Sequence, residues 1–91
     1  MIISWRHKGL RELFRHGESA KVRPDQQRNC LRLLDALNTM AVPEDMNSPG
    51  WHFHGLQGKP KRYAVAVNGP WRITFGFGDG DAIDVDLEQY H

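Results

Sequence analysis

The spacing of apolar residues changes period once along this chain, from helical in the first half to alternating in the second. Leu10, Leu13 and Phe14 fall at i, i+3 and i+4, the stripe of a short helix over Lys8–His16, and Gly17 follows where a helix end favours left-handed backbone. A second stripe, Cys30, Leu31, Leu33, Leu34, Leu37 and Met40, predicts a longer helix that ends at Thr39 or Met40. It opens at Pro24, whose missing amide is harmless at a first helical position, with Asp25 at the positive end of the dipole. Residues 1–5 are apolar and β-branched and predict an initial strand. Residues 41–50, AVPEDMNSPG, carry two prolines, an Asn-Ser pair and a glycine, and predict no regular element.

Beyond that tract the period is 2. Trp51 and Phe53 alternate with His52 and His54, and Tyr63, Val65 and Val67 with Ala64 and Ala66. Trp71, Ile73, Phe75 and Phe77 alternate with Arg72, Thr74 and Gly76, and Ile83, Val85 and Leu87 with Asp84 and Asp86. These segments predict four strands, each with one apolar face. Asn68-Gly69 and Gly78-Asp79-Gly80 are hairpin chemistry, and loops this short join only antiparallel neighbours. The fold class expected is α+β, a single domain over residues 1–91, with two N-terminal helices packed on one face of a curved antiparallel β-sheet and polar side chains on the other.

Length and composition agree with this picture. Ninety-one residues suit one domain, and 40% apolar content excludes disorder. No apolar run approaches the roughly 18 to 20 residues of a membrane span, and the N-terminus lacks the apolar core of a secretion signal. Cys30 is the single cysteine, so no disulfide forms within the chain, and a reducing compartment, the cytoplasm, is expected. Its place on the apolar stripe marks it as a buried thiol rather than a nucleophile.

Charge changes the picture more. The net charge of +1 argues against a protein that holds polyanions by bulk attraction, yet the charges are segregated. Residues 1–32 carry eight bases and three acids, and residues 59–72 carry Lys59, Lys61, Arg62 and Arg72 with no acid. Residues 73–91 carry five acids and no base. Alternation places Arg72 opposite the helix-facing Trp71 and Ile73, on the uncovered face, with His52 and His54 outward beside it. Lys59, Lys61 and Arg62 lie in the loop leading into the next strand, and the chain ends in Tyr90-His91. Such a surface suits a phosphodiester: Arg grips oxyanions bidentately, Lys is a point charge, His moves protons near neutrality and Tyr stacks on a base.

Plainer roles exist for each of these residues. Arg72 could pair across strands with Asp84 or Asp86, the histidines could be ordinary surface residues, and the basic run could simply be solvated. Trp51 and Trp71 suit the core better than a stacking platform. His52 and His54 with His91 could converge on zinc, but there is no HExxH, no cysteine pair and no acidic oxygen cluster, so neither metal nor other cofactor is expected. Walker, GxGxxG-helix and GxSxG signatures are missing too.

Several segments in order, namely His7-Lys8-Gly9-Leu10 with a following Leu-Phe pair, the two helices, His54-Gly55-Leu56-Gln57-Gly58, Trp71-Arg72-Ile73-Thr74-Phe75, Gly80-Asp81-Ala82 and the closing Tyr90-His91, carry a resemblance along nearly the whole chain. The sequence resembles the HigB-type toxins of the RelE superfamily, small bacterial ribosome-dependent mRNA endonucleases of type II toxin–antitoxin systems. The resemblance implies a RelE-like, microbial-ribonuclease-type fold and cleavage of mRNA in the ribosomal A site, with the 2′-OH as nucleophile and no metal. It implies His54, Arg72, Tyr90 and His91 as the catalytic set, with Lys59, Lys61, Arg62 and His52 as RNA contacts. Two positions depart from the family pattern: Gln89 stands where an acid commonly precedes Tyr-His, and Gln57 where a lysine is usual, a loss for which Lys59, Lys61 or Arg62 could substitute. The implied partners are a cognate helix-turn-helix antitoxin of the HigA type, the 70S ribosome and mRNA. DNA is reached only through that antitoxin, no membrane is involved, and the location is the bacterial cytoplasm. The departures leave open a catalytically weak or inactive homologue that binds RNA, the ribosome or its antitoxin, and the three histidines leave open a metal-dependent hydrolase.

Overall fold

The computed structural model describes residues 1–89. Among them are two α-helices, α1 (Lys8–His16) and α2 (Pro24–Thr39), a short 3-10 helix (Pro43–Met46) and four strands, β1 (His54–Leu56), β2 (Arg62–Asn68), β3 (Trp71–Gly78) and β4 (Asp81–Gln89). The strands pair antiparallel in the order β1-β2-β3-β4, and both helices lie on one face of the sheet. This is the α+β architecture that the two periods predict.

Local chemistry explains the helix ends. His7 caps α1, its Nδ1 accepting from the Leu10 amide at 3.1 Å, and Gly17 ends the helix at φ 83°, donating to the Leu13 carbonyl at 2.8 Å. Pro24 begins α2, with Asp25 in its first turn. The apolar stripes meet the sheet in a core where Leu10, Leu13, Leu34, Leu37, Val65, Ile73, Phe75 and Val85 are fully buried. Cys30 is buried among them, and desolvation pushes its thiol up to about 12.

Four local expectations are corrected. Residues 41–50 do hold a regular element: Asp45 Oδ2 accepts from the amides of Ala41 and Val42, at 2.8 and 3.2 Å, and this cap lets Pro43–Met46 wind into a 3-10 turn that buries Met46. The first strand starts at His54 rather than Trp51, because His52 takes a left-handed φ of 50° that no strand admits; Trp51 and Phe53 still pack on the core. Residues 1–5 form only two isolated parallel bridges to β4, Ile2 with Ala82 and Trp5 with Val85. Between them β4 bulges at Asp84 (φ 51°), whose amide donates to Ser4 Oγ at 2.8 Å instead of to a ladder partner. The same bulge reverses the alternation, so that Ala82 is fully buried in the core while Ile83, expected inward, lies over Gly76 on the other face.

Candidate functional site

The face of the sheet away from the helices is laid out by the register. Three rows cross the strands: Leu56, Arg62, Gly76 and Ile83; then His54, Ala64, Thr74 and Asp86; then Ala66, Arg72 and Glu88. The floor is built of small residues, and long side chains rise around it. With strands about 4.8 Å apart and alternate residues about 6.7 Å apart, His54 and Arg72 stand on the order of 12 Å from Cα to Cα, a span that an arginine and an imidazole can close around one phosphate. Arg6, Leu56, Gln57, Gly58, Lys59, Pro60, Arg62, Arg72 and Glu88 line a groove of about 300 Å3 on this face, reaching from the first row to the third. Its lining sets the cations Arg6, Lys59, Arg62 and Arg72 against the single carboxylate of Glu88.

A hydrogen-bond relay holds part of this lining. Arg62 Nη2 donates to Thr74 Oγ1 at 3.0 Å and to the Asp84 carbonyl at 2.9 Å, and the Thr74 hydroxyl donates onward to Glu88. Thr74 is fully buried although it faces away from the core, because these side chains roof it. Burial, then the charge of Arg6, lowers the Arg62 pKa from its ordinary value, against the opposing pull of Glu88, Asp84 and Asp86. A guanidinium remains a cation under such pressure, so the pressure becomes an attraction for any anion that enters.

His54 is oriented by its own backbone. Its Nδ1 lies 2.8 Å from the carbonyl oxygen of His52, and a carbonyl only accepts, so Nδ1 carries the proton and Nε2 is the basic nitrogen of the neutral ring. The turn that sends His52 outward, exposed and at positive φ, is therefore what points its carbonyl at His54.

The residues singled out from the sequence divide accordingly. His54 and Arg72 share the open face, and Lys59 and Arg62 line the groove, Arg62 as the first residue of β2 rather than in the preceding loop. His52 contributes a carbonyl. Lys61 points elsewhere: its ammonium lies beside Gly55 and 5.8 Å from the centre of the Tyr63 ring, on the side of the strand opposite Arg62. Tyr90 and His91 lie outside the described residues. Gln57 lines the groove, while Gln89 is paired with Trp71 and alternates with Glu88, which faces Arg72. Among the described residues no three His, Cys, Asp or Glu side chains converge as a metal site, and the zinc alternative counted on His91. No helix of the described residues is long and apolar enough to cross a membrane.

Sequence reasoning missed Arg6, Thr74 and Glu88. Glu88 was within reach, since it continues the polar phase of Asp84 and Asp86. Arg6 carries no local signal; its amide bonds the Val85 carbonyl at 2.9 Å, and that contact across the sheet edge brings it to the groove.

Comparison with known proteins adds two findings. The family model describing the RelE-like toxin of type II toxin-antitoxin system HigB matches residues 3–91. Endoribonuclease HigB of Proteus vulgaris is 35% identical over 92 residues, a match that covers the whole of both chains.

Proposed function

The chain belongs to the HigB-like, RelE-like toxins of type II toxin–antitoxin systems, and from that membership we propose that it is an endoribonuclease that cuts mRNA in the ribosomal A site. The observation that carries the reading is the groove itself, where four cations gather around one carboxylate on the sheet face that also holds His54. A phosphodiester is the ligand that such a lining attracts, and the relative's name, endoribonuclease, gives the reaction class.

The reaction proposed is metal-independent transesterification. The 2′-oxygen attacks the adjacent phosphorus, its proton passes to a base, and the bond from phosphorus to the 5′-oxygen breaks as that oxygen is protonated. The products are a 2′,3′-cyclic phosphate and a 5′-hydroxyl. Arg72 and its cationic neighbours stabilise the charge that builds on the phosphoryl oxygens. His54 moves a proton through Nε2, the atom left basic by the His52 carbonyl, and His91 serves as the opposite partner of the acid–base pair. Tyr90 positions or stacks a base. Lys59 and Arg62 hold RNA phosphates, which supplies charge where Gln57 has none. The partner that restrains the toxin is a small helix-turn-helix antitoxin, through which alone the chain reaches DNA, and the site of action is the bacterial cytoplasm.

Expression of Arg72→Ala, His54→Ala and His91→Ala singly tests the reading. Each variant is expected to lose growth arrest while keeping the wild-type circular dichroism spectrum, and primer extension should show the new 5′ ends within translated codons only for the parent. Three folded variants that remain fully toxic, or a 5′-phosphate on the cut RNA, would overturn it. The glutamines at 57 and 89 favour one other reading, a weak or inactive homologue; ribosome binding by the parent chain with no new 5′ ends would establish that instead.

A further inference from the structure

Within this proposed site, Arg62 is held in a way its neighbours do not require. Both of its hydrogen bonds leave from one terminal nitrogen, Nη2, and both acceptors, a threonine hydroxyl and a backbone carbonyl, are uncharged. Among the described residues it forms no ion pair, so its full positive charge is fixed in direction yet left without a counter-charge in contact. Arg6 and Lys59 line the same groove, and Arg6 acts on Arg62 as a repelling like charge. Glu88, Asp84 and Asp86 offset part of that repulsion without pairing with Arg62, and an anion held between residues 6 and 62 would turn the remaining repulsion into attraction. Arg72, the arginine assigned to the reacting phosphate, stands two rows away on the same face, on the order of 14 Å from Cα to Cα, and Arg62 is tied to Thr74 in the row between, so the two guanidiniums start from separate anchors along one groove.

We propose that Arg62 and Arg6, with Lys59 at the rim, form a second anion subsite that takes the RNA phosphate flanking the one held at Arg72, and that the Thr74 hydroxyl and Asp84 carbonyl are its scaffold. The groove thus grips two phosphates of one strand, one for chemistry and one for register. Arg62 and Arg6 are positioning residues: they set which phosphodiester faces Arg72 and His54. The proposal rests on the nucleolytic reading of the site, but binding alone can test it.

The probe is a 2′-deoxy trinucleotide, which cannot be cleaved, compared with the same trinucleotide in which one of its two phosphates is a neutral methylphosphonate. Binding to the isolated full chain is followed by amide chemical-shift titration. The parent should bind each singly neutralised probe about tenfold more weakly. Arg62→Met and Arg6→Met should each weaken discrimination at one phosphate, the same one, while retaining it at the other, and the double variant should abolish it at that phosphate alone, since both serve one anion. The double variant should also flatten the dependence of log affinity on log salt by about 0.7, the value for one single-strand phosphate contact. Arg62→Lys should restore part of the affinity. Among the described residues the Arg6 side chain forms no hydrogen bond to the scaffold, so its variant keeps the test valid if Arg62→Met unfolds. Folded variants that discriminate both phosphates like the parent overturn the subsite. Arg72→Met, which should lose discrimination at the other phosphate, tests the nucleolytic site separately.

Discussion

The two faces of one sheet are built on opposite principles. Toward the helices, Val65, Ile73, Phe75 and Val85 are fully buried by apolar neighbours, and Tyr63 stacks between Phe53 and Phe75 with ring centres 5.7 and 5.6 Å away. Away from them, Ala64 and Thr74 are equally buried, Thr74 beneath the Arg62 and Glu88 side chains that bond its hydroxyl. Burial is therefore not what distinguishes the faces. One is held by shape, which any apolar residue of the right volume satisfies; the other is held by a hydrogen-bond relay from Arg62 through Thr74 to Glu88, beside a lining in which cations outnumber carboxylates.

That contrast predicts different failures on each side. Phe75→Ala should lose about 3–5 kcal/mol of stability, a large share of what a domain of this size possesses, and toxicity should vanish because the chain unfolds. Arg72→Ala should lower cleavage by about 10²–10³ with an unchanged melting temperature; thermal melts beside the growth assay separate the two, and equal destabilisation would break the comparison. Thr74→Val sits between them. It keeps the shape but removes the hydroxyl that joins Arg62 to Glu88, so it should lose about 1–3 kcal/mol and also weaken RNA binding, whereas a purely packing role would move stability alone. The smallest effect belongs to Cys30. With its thiol pushed up to about 12, the native protein should resist iodoacetamide at neutral pH and react only on unfolding, a labelling experiment that reports the integrity of the helix-side face and nothing about the other.

Much of the inner face was legible because burial there needs only hydrophobicity at the right period. The stripe of α2, the paired phases of β2 and β3 and the left-handed turn at Asp79 and Gly80 all follow from neighbours within a few residues. Legibility ended where a distant residue intervened. Ser4 captures the Asp84 amide and reverses the phase of Ile83, whereas the Asp45 cap inside the proline-rich tract is a local device that apolar periodicity does not register. At the candidate site the sequence correctly put Arg72 on the uncovered face, but it grouped Lys61 with Lys59 and Arg62, and only the strand's start at Arg62 shows that Lys61 falls on the other side.

The order of elements, the antiparallel sheet, the apolar core and the segregation of charge were determined by the sequence itself, because each depends on periodicity or on turn chemistry acting over a few bonds. Which charges meet was decided by the tertiary structure. Arg6, Arg62, Arg72 and Glu88 come from separated segments of the chain, and they share a groove because the register of β2, β3 and β4 and the bond from Arg6 to Val85 place them there. Electrostatic interaction depends on distance through space, and a linear pattern carries that information only after the chain has folded.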